Sequence, residues 1–268
     1  MSKVEVLVAT MNQTDLSLFE KMNIQTDVIF CNQCDRNEFI DTTINGCRVR
    51  MLSTTTKGVG INRNLAMQLS NAEICLLADD DVVYVNDYEK IITDEFERVK
   101  DVGIIGFNRI DENGELIYKK QGGYTKRGFG APRIAYRNGI IKRENVTFTT
   151  MFGGGSVYSS GEDSLFIRDA IKNGIKIYAS TKAICSTKNN RESTWFDGYT
   201  DKFFFDKGAW CKVAYPKTWR ILKYYLIIKF ARLGEQSLIK KIRLFNQGAK
   251  AYRVMKSYND VVIELNEV

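Results

Sequence analysis

Glu73-Ile-Cys-Leu-Leu-Ala-Asp-Asp-Asp81 is the stretch on which the fold turns. A short apolar run that ends abruptly in acids reads as a buried strand delivering carboxylates to the edge of a sheet. Three adjacent carboxylates are not buried unpaired, because each unpaired ion costs several kcal/mol. One reading is a solvated strand end, or a cap for the helix expected from Asp87 to Lys100. The other is a hard-cation site. Oxygen ligands without His or Cys suit Mg²⁺ or Mn²⁺, ions that retain waters and take substrate phosphates. Alternation along an extended segment places Asp79 and Asp81 on the same side, where they can share one ligand.

Outward from this run, strand and helix signals alternate. Val4 to Val8 is a β-rich run followed by the turn-like Thr10-Met-Asn12 and a helical stretch near Asp15 to Met22. Asp27 to Phe30 and Cys47 to Leu52 read as a second and third strand. A loop rich in Gly and hydroxyls, Thr54 to Gly60, enters the helix Ile61 to Leu69, and Val102 to Phe107 is a further strand. Such alternation implies an α/β fold, with a mostly parallel mixed sheet flanked by helices. Ligands of these sheets sit beyond the carboxyl ends of the strands, where the three aspartates fall.

Two further constellations carry chemistry. Lys57, Gly58, Gly60 and Arg63-Asn64 form a glycine loop at a helix entry, which supplies N–H groups and a positive dipole suited to phosphate. The spacing is neither that of a Walker loop nor of a dinucleotide fingerprint. Downstream, Gly153, Gly154 and Gly155 precede Glu162-Asp163, which opens a helix over Ser164 to Lys172. The glycines allow close approach of a substrate to the backbone. The two acids either cap that helix, an effect of about 0.3–1 kcal/mol, or deprotonate a substrate hydroxyl. Between these motifs, Gly114 to Thr150 is rich in Gly, Arg, Lys and Tyr and reads as two strands around a long loop.

Composition narrows the chemistry. The chain has 268 residues, 44% hydrophobic and 26% charged, which excludes a disordered or fibrous protein. It contains no histidine, so Ser-His and Cys-His nucleophile mechanisms are excluded, and acid–base work falls to carboxylates, Lys, Tyr or Cys. Cys31-Asn-Gln-Cys34 has redox or zinc-knuckle spacing but no second pair; the six cysteines are expected as reduced thiols. No apolar run in the C-terminal third exceeds Tyr224 to Ile228, far short of the roughly 20 residues of a membrane span. The start of the chain lacks a signal-peptide pattern, so a cytoplasmic location is expected.

The net charge of +7 is unevenly placed. From Lys212 to Lys256 twelve cations face only Glu235, a net +11 that leaves the rest at −4. A uniformly basic nucleic-acid binder is therefore not expected. After Trp195 the chain reads as helical, broken near Pro216 and Gly234. Trp219, Leu222, Leu226, Phe230 and Leu233 form an apolar stripe there. The stripe either packs on its own domain or seats a helix on anionic lipid with Lys217, Arg220, Lys223 and Lys229 nearby. The expected division is a catalytic domain over 1–211 and a basic helical appendage over 212–268.

Taken together, Val6-Leu-Val-Ala-Thr-Met-Asn12, Lys57-Gly-x-Gly-x-x-Arg-Asn64, Leu76-Leu-Ala-Asp-Asp-Asp81 and Gly-Gly-Gly155 before Glu162-Asp163 follow the order of motifs in family 2 glycosyltransferases. Over about residues 3 to 210 the chain resembles these GT-A fold enzymes, particularly bacterial ones that build capsule or O-antigen polysaccharide. The resemblance implies a metal-dependent inverting glycosyltransferase using Mn²⁺ or Mg²⁺, with a nucleotide-sugar donor, UDP-sugar foremost, and a glycan or lipid-linked glycan acceptor. It implies that Thr10 and Asn12 belong to the nucleotide-base loop and that Arg63 lies near the nucleotide. Asp79 contacts the sugar nucleotide, with Asp80 beside it, and Asp81 holds the metal. Asp163 is the general base, with Glu162 next to it. The family's pair of aspartates after the second strand is replaced by Phe30-Cys-Asn-Gln-Cys-Asp35, so Asn32 or Asp35 takes the base contact. Without histidine, water or phosphate oxygen must complete the metal shell.

Two rivals remain. A nucleotidyltransferase would carry a Gly-rich, Arg/Lys signature after the first strand, which Ala9-Thr-Met-Asn-Gln13 lacks. A catalytically silent glycan- or RNA-binding protein would use the basic tail, against which the intact acids at 79, 81 and 163 argue. The tail also raises the expectation of a peripheral contact at the inner face of the cell membrane.

Overall fold

The computed structural model describes residues 3–118, 122–187 and 196–266. The expected helical start at Trp195 lies outside the described residues. Two compact units are present: Met1–Thr149 with Asp163–Arg191, and Thr150–Glu162 with Glu192–Val268. The chain does not divide between residues 211 and 212, because a helix runs across that point and residues 150–162 belong to the helical unit.

The first unit is built on a mixed sheet: β1 (Val4–Met11), β2 (Asp27–Gln33), β3 (Glu38–Ile44), β4 (Cys47–Thr54), β5 (Ile74–Asp79), β6 (Val82–Tyr84), β7 (Ile104–Ile110), β8 (Gly123–Tyr124), β9 (Ile134–Arg137) and β10 (Ile177–Thr187). The order is β3-β4-β2-β1-β5-β9-β7-β10-β6, with β8 on β10. The run β4-β2-β1-β5 is parallel, as is β7 with β10. The remaining pairings are antiparallel, so the sheet is less uniformly parallel than the alternation predicts. Most of that difference has a local cause. Asn45-Gly46, with φ of 51° and 81°, makes a tight turn that folds β3 back on β4. In the middle, β9 inserts antiparallel to both β5 and β7.

Both faces of this sheet are covered, by α1 (Leu18–Lys21) and α3 (Tyr88–Arg98) on one side and α2 (Val59–Leu69), α4 (Asn138–Arg143) and α5 (Glu162–Lys172) on the other. Strand β1 shows the pattern: Val4, Val6 and Val8 join Phe19 and Phe96, while Leu7 joins Met67 and Phe166. A strand buried on both faces is apolar at nearly every position, which is why Val6 to Ala9 reads as a continuous run; the buried Glu5 is the exception and is paired with Arg50.

The second unit is helical: α6 (Asp201–Ala214), α7 (Trp219–Lys229), α8 (Leu238–Ala251) and α9 (Tyr258–Asn266). Thr200 and Ser237 cap α6 and α8 by accepting from Phe203 N and Lys240 N. A Cβ on Gly208 would strike the Phe245 backbone, and one on Gly248 the Phe205 backbone, so α6 and α8 touch main chain to main chain. The core holds Phe204, Cys211, Ile227, Leu244 and Phe245, against which Trp219, Leu222, Leu226 and Phe230 pack. The apolar stripe therefore lies on its own unit. Two tail cations are buried there: Lys223 Nζ donates to Asn246 Oδ1 at 2.7 Å, and Lys241 Nζ to the carbonyls of Phe230 and Ala231.

Candidate active site

The parallel strands set their carboxyl ends side by side. Thr10 pairs in register with Asn32, Asn32 with Ser53, and Ala9 with Asp79. Helix α2 then starts at this edge behind Gly58, whose φ of 117° is open to glycine and whose N–H donates to Gln33 Oε1 at 2.8 Å. Lys57 stands exposed in the loop before it.

The three acids have separate surroundings. Strand β5 ends at Asp79 and the chain turns at Asp80-Asp81 before β6, so strand alternation does not extend to Asp81. Arg63, on α2 and almost fully buried, donates from Nη2 to Asp79 Oδ1 at 2.8 Å, its guanidinium over the Phe148 ring. Thr10 Oγ1 donates to Asp80 Oδ2 at 2.7 Å. Burial, then the like charges of Asp79 and Asp80, push the carboxyl of Asp81 up, and Arg109 offsets part of that. Its burial and its neighbours thus work against the charge of Asp81.

That donor set bears on the metal. Among the described residues, no three His, Cys, Asp or Glu side chains cluster as a cage for an ion. A Mg²⁺-type ion needs only one or two carboxylates when phosphate oxygens supply further ligands. A cation beside Asp81 would also relieve its excess negative field. The residues fit a divalent ion shared with a phosphate ligand, and do not fit one held by protein alone.

Other expected contacts are distributed differently. Asn32 is fully buried and commits both amide hydrogens, to Gln13 O and Ser53 Oγ, while its Oδ1 accepts from Gln13 N. Its carboxamide ties the loop after β1 to β2 and β4 and has no hydrogen left for a nucleotide base. Asp35 and Asn12 are exposed, Asn12 in the left-handed region at φ 56°. Asn64 is likewise structural, exchanging hydrogen bonds with the Phe148 backbone at 2.8 Å. Burial pushes the Cys31 thiol up to about 12, so the Cys31-x-x-Cys34 spacing does not make a reactive pair.

Asp163 stands at the same edge as the triplet. Because β10 runs parallel to β7, the helix α5 that leads into it returns from the carboxyl edge, and Asp163 lies at the start of α5. A Cβ built on Gly130, just ahead of β9, would lie 3.9 Å from Asp163 Oδ2. β9 is antiparallel to β5, so its beginning is at that edge too. Asp163 Oδ1 accepts from Ser164 N at 2.6 Å. Glu162 belongs to the other unit, where its Oε2 accepts from Gly161 N at 3.1 Å. Gly153, Gly154 and Gly155 also lie in that unit. Gly153 and Gly155 have φ of 108° and 75°, and Gly153 N donates to Tyr158 O, so the glycines first serve a turn that stacks Phe152 on Tyr158.

Three residues at this end of the sheet escape the sequence reading. Arg109, at the end of β7, acts electrostatically on Asp81. Arg133 is buried, donates from Nε to Phe107 O at 2.7 Å and lies 3.5 Å from the ring centroid of Tyr118. Burial raises the Tyr118 phenol, but Arg133 and Arg109 outweigh it and hold it below the ordinary range. The Arg and Tyr enrichment of residues 114–150 was the available signal; their convergence with Arg109 depends on the sheet order.

No family model matches the chain, and no curated protein matches it. Solved structures do. Staphylococcus aureus TarS 1–349 in complex with UDP-GlcNAc superposes with a TM-score of 0.59 at 15% identity, over 95% of this chain and 93% of that one. The same TarS segment in complex with UDP gives 0.55 at 17% identity, over 95% and 92%. A longer TarS structure gives 0.56 at 16% identity, over 93% of this chain and 55% of that one. The mixed sheet flanked by helices, followed by C-terminal helices, is accordingly a fold of the GT-A type.

Proposed function

We propose that this chain is a metal-dependent inverting glycosyltransferase that moves a sugar from a nucleotide-sugar donor, a UDP-sugar first, to a glycan or lipid-linked glycan of bacterial surface polysaccharide. The observation that carries the reading is the split of acids on one carboxyl edge, with Asp79, Asp80 and Asp81 on β5 and the turn after it, and Asp163 on α5. Sugar transfer needs both, one group of charges at the diphosphate and a separate base at the acceptor. Thr10, Asn12 and Asp35 surround the nucleoside end, while Lys57, the α2 entry and Arg63 face its phosphates. Asp81, with Asp79, would hold Mn²⁺ or Mg²⁺, which when bound offsets charge on the leaving diphosphate.

In this mechanism Asp163 takes the proton of the acceptor hydroxyl as its oxygen attacks the anomeric carbon. The bond from that carbon to the diphosphate oxygen breaks, and its electron pair leaves with the nucleoside diphosphate. Attack from the side opposite the leaving group inverts the anomeric centre. The test is incubation with UDP-hexoses and UDP-N-acetylhexosamines, with and without Mn²⁺, reading nucleoside diphosphate release. Metal-stimulated release of UDP supports the reading. Release of pyrophosphate, or donor binding without turnover under any acceptor, overturns it.

A further inference from the structure

Helix α7 is apolar on two opposite sides. Its inner side, Trp219, Leu222, Leu226, Ile227 and Phe230, packs in the helical unit. Its outer side carries Ile221, Tyr224, Tyr225 and Ile228, which are 78%, 49%, 62% and 72% exposed. At 3.6 residues per turn these four fall in one strip about 100° wide. On the same projection Arg220 borders the strip on one side and Lys229 on the other, both exposed. Lys217 and Arg232, also exposed, continue the basic rim at its two ends. Between Pro216 and Gly234 there is no acidic residue.

We propose that the outer face of α7 docks this protein on an anionic lipid surface, lying in the interface plane. The chemistry matches at each level. Isoleucines enter the acyl boundary, tyrosines sit at headgroup depth, and cations on both edges reach lipid phosphates. The helix has 11 residues, and no helix among the described residues is long and apolar enough to cross a membrane, so the contact lies on one leaflet. A second copy of the chain is a poorer occupant. A two-fold contact through this strip would set basic rims against each other with no acid to pair them. The inference rests on the helical unit alone and stands or falls separately from the glycosyl-transfer reading. It also names a different face from the one the sequence stripe indicates, and it excludes Lys223, which is buried on Asn246.

The test is vesicle flotation of the full chain with phosphatidylglycerol-containing and pure phosphatidylcholine vesicles at low and high salt. The wild type is expected to float with the anionic vesicles and to be released by salt. Ile221→Ser with Ile228→Ser should lower vesicle affinity about tenfold or more, and Arg220→Gln with Lys229→Gln, which leaves Lys217 and Arg232, should weaken the salt dependence. These side chains are exposed, so an unchanged melting temperature checks that both variants fold. No flotation of the wild type, or equal flotation with phosphatidylcholine, overturns the proposal. So does a wild-type dimer in sedimentation velocity that the isoleucine variant abolishes, which would make the strip a contact between copies.

Discussion

Arg63 Nη2 meets Asp79 Oδ1 at 2.8 Å, with the arginine 4% exposed and the aspartate side chain 40% open to solvent. A buried guanidinium thus faces a carboxylate whose other side remains available to a ligand. The pair makes Asp79, at the end of β5, and Asp81, two residues on in the turn, unequal in what they do for the fold.

Asp79→Ala should therefore lower stability by about 1–3 kcal/mol, because it removes the charged acceptor that the buried Arg63 guanidinium meets. Asp81→Asn should leave the melting temperature unchanged or raise it, since burial and two like charges oppose ionised Asp81. Both variants should lose Mn²⁺-dependent nucleotide binding by titration calorimetry. Normal metal-dependent binding in the Asp81 variant would remove that residue from the site.

Asp163→Asn should retain donor binding and lower turnover roughly 10²-fold or more, the scale of general base catalysis. Steady-state kinetics against binding constants will separate the two. Near-normal turnover with intact folding assigns the base elsewhere.

A buried charge network lies on β1 and β4. Arg50 Nη2 donates to Glu5 Oε1 at 2.5 Å, Ser70 Oγ to Glu5 Oε2 and Arg50 Nη1 to Leu69 O. Removing one partner of such a pair strands the other, so Glu5→Ala should cost about 3–5 kcal/mol. Urea denaturation read by intrinsic fluorescence gives the value, and a change under about 1 kcal/mol would mean that water reaches Arg50.

Gly248→Ala should unsettle the helical unit, because its methyl group meets the Phe205 backbone and main chain cannot step aside cheaply. Gly139→Ala is the control: α4 has open space there, and helix propensity favours Ala by about 0.5–1 kcal/mol. Hydrogen exchange across residues 201–251 should rise in the first variant only.

Acid should loosen the contact between α3 and β10. Glu95 accepts from Arg98 and from Ser180 Oγ, and these bonds, Arg98 first, hold its carboxyl below the usual range against burial. A depressed carboxyl stabilises the fold above its unfolded-state value and loses that contribution as pH falls through the folded value. Wild type should lose more thermal stability than Glu95→Gln between neutral pH and the low end of the carboxylate range. Parallel losses in thermal melts at the two pH values would show that other groups dominate.

Much of the fold was legible where burial imposed continuous apolar runs, as in Val6 to Ala9 and Ile74 to Ala78. Strand β3 was hidden because Glu38 to Ile44 is largely solvent-facing, although Asn45-Gly46 marked its hairpin. β10 was hidden by its polar residues and by register breaks between Ala179 and Cys185, which disrupt alternation. At the site, residue identity revealed the acids but not their environments. The full engagement of Asn32 and the burial of Lys223 both depend on partners 19 or more residues away in sequence. No local pattern encodes such pairings.

Strand β9 leaves the sheet dependent on sequence order in time. β5 and β7 share no pairing of their own in the described sheet; each reaches the other only through Ile134–Arg137. During synthesis, β5 is finished when the ribosome has made Asp79, and its partner on the side away from β1 emerges only after a further stretch that takes on the order of seconds to translate. Through that interval Ile74 to Ala78 is an apolar edge with open hydrogen-bonding groups, the kind of surface that captures strands of other chains. Slower translation over residues 80–137 should therefore lengthen the exposure of that edge, a kinetic hazard separate from the stability of the finished molecule.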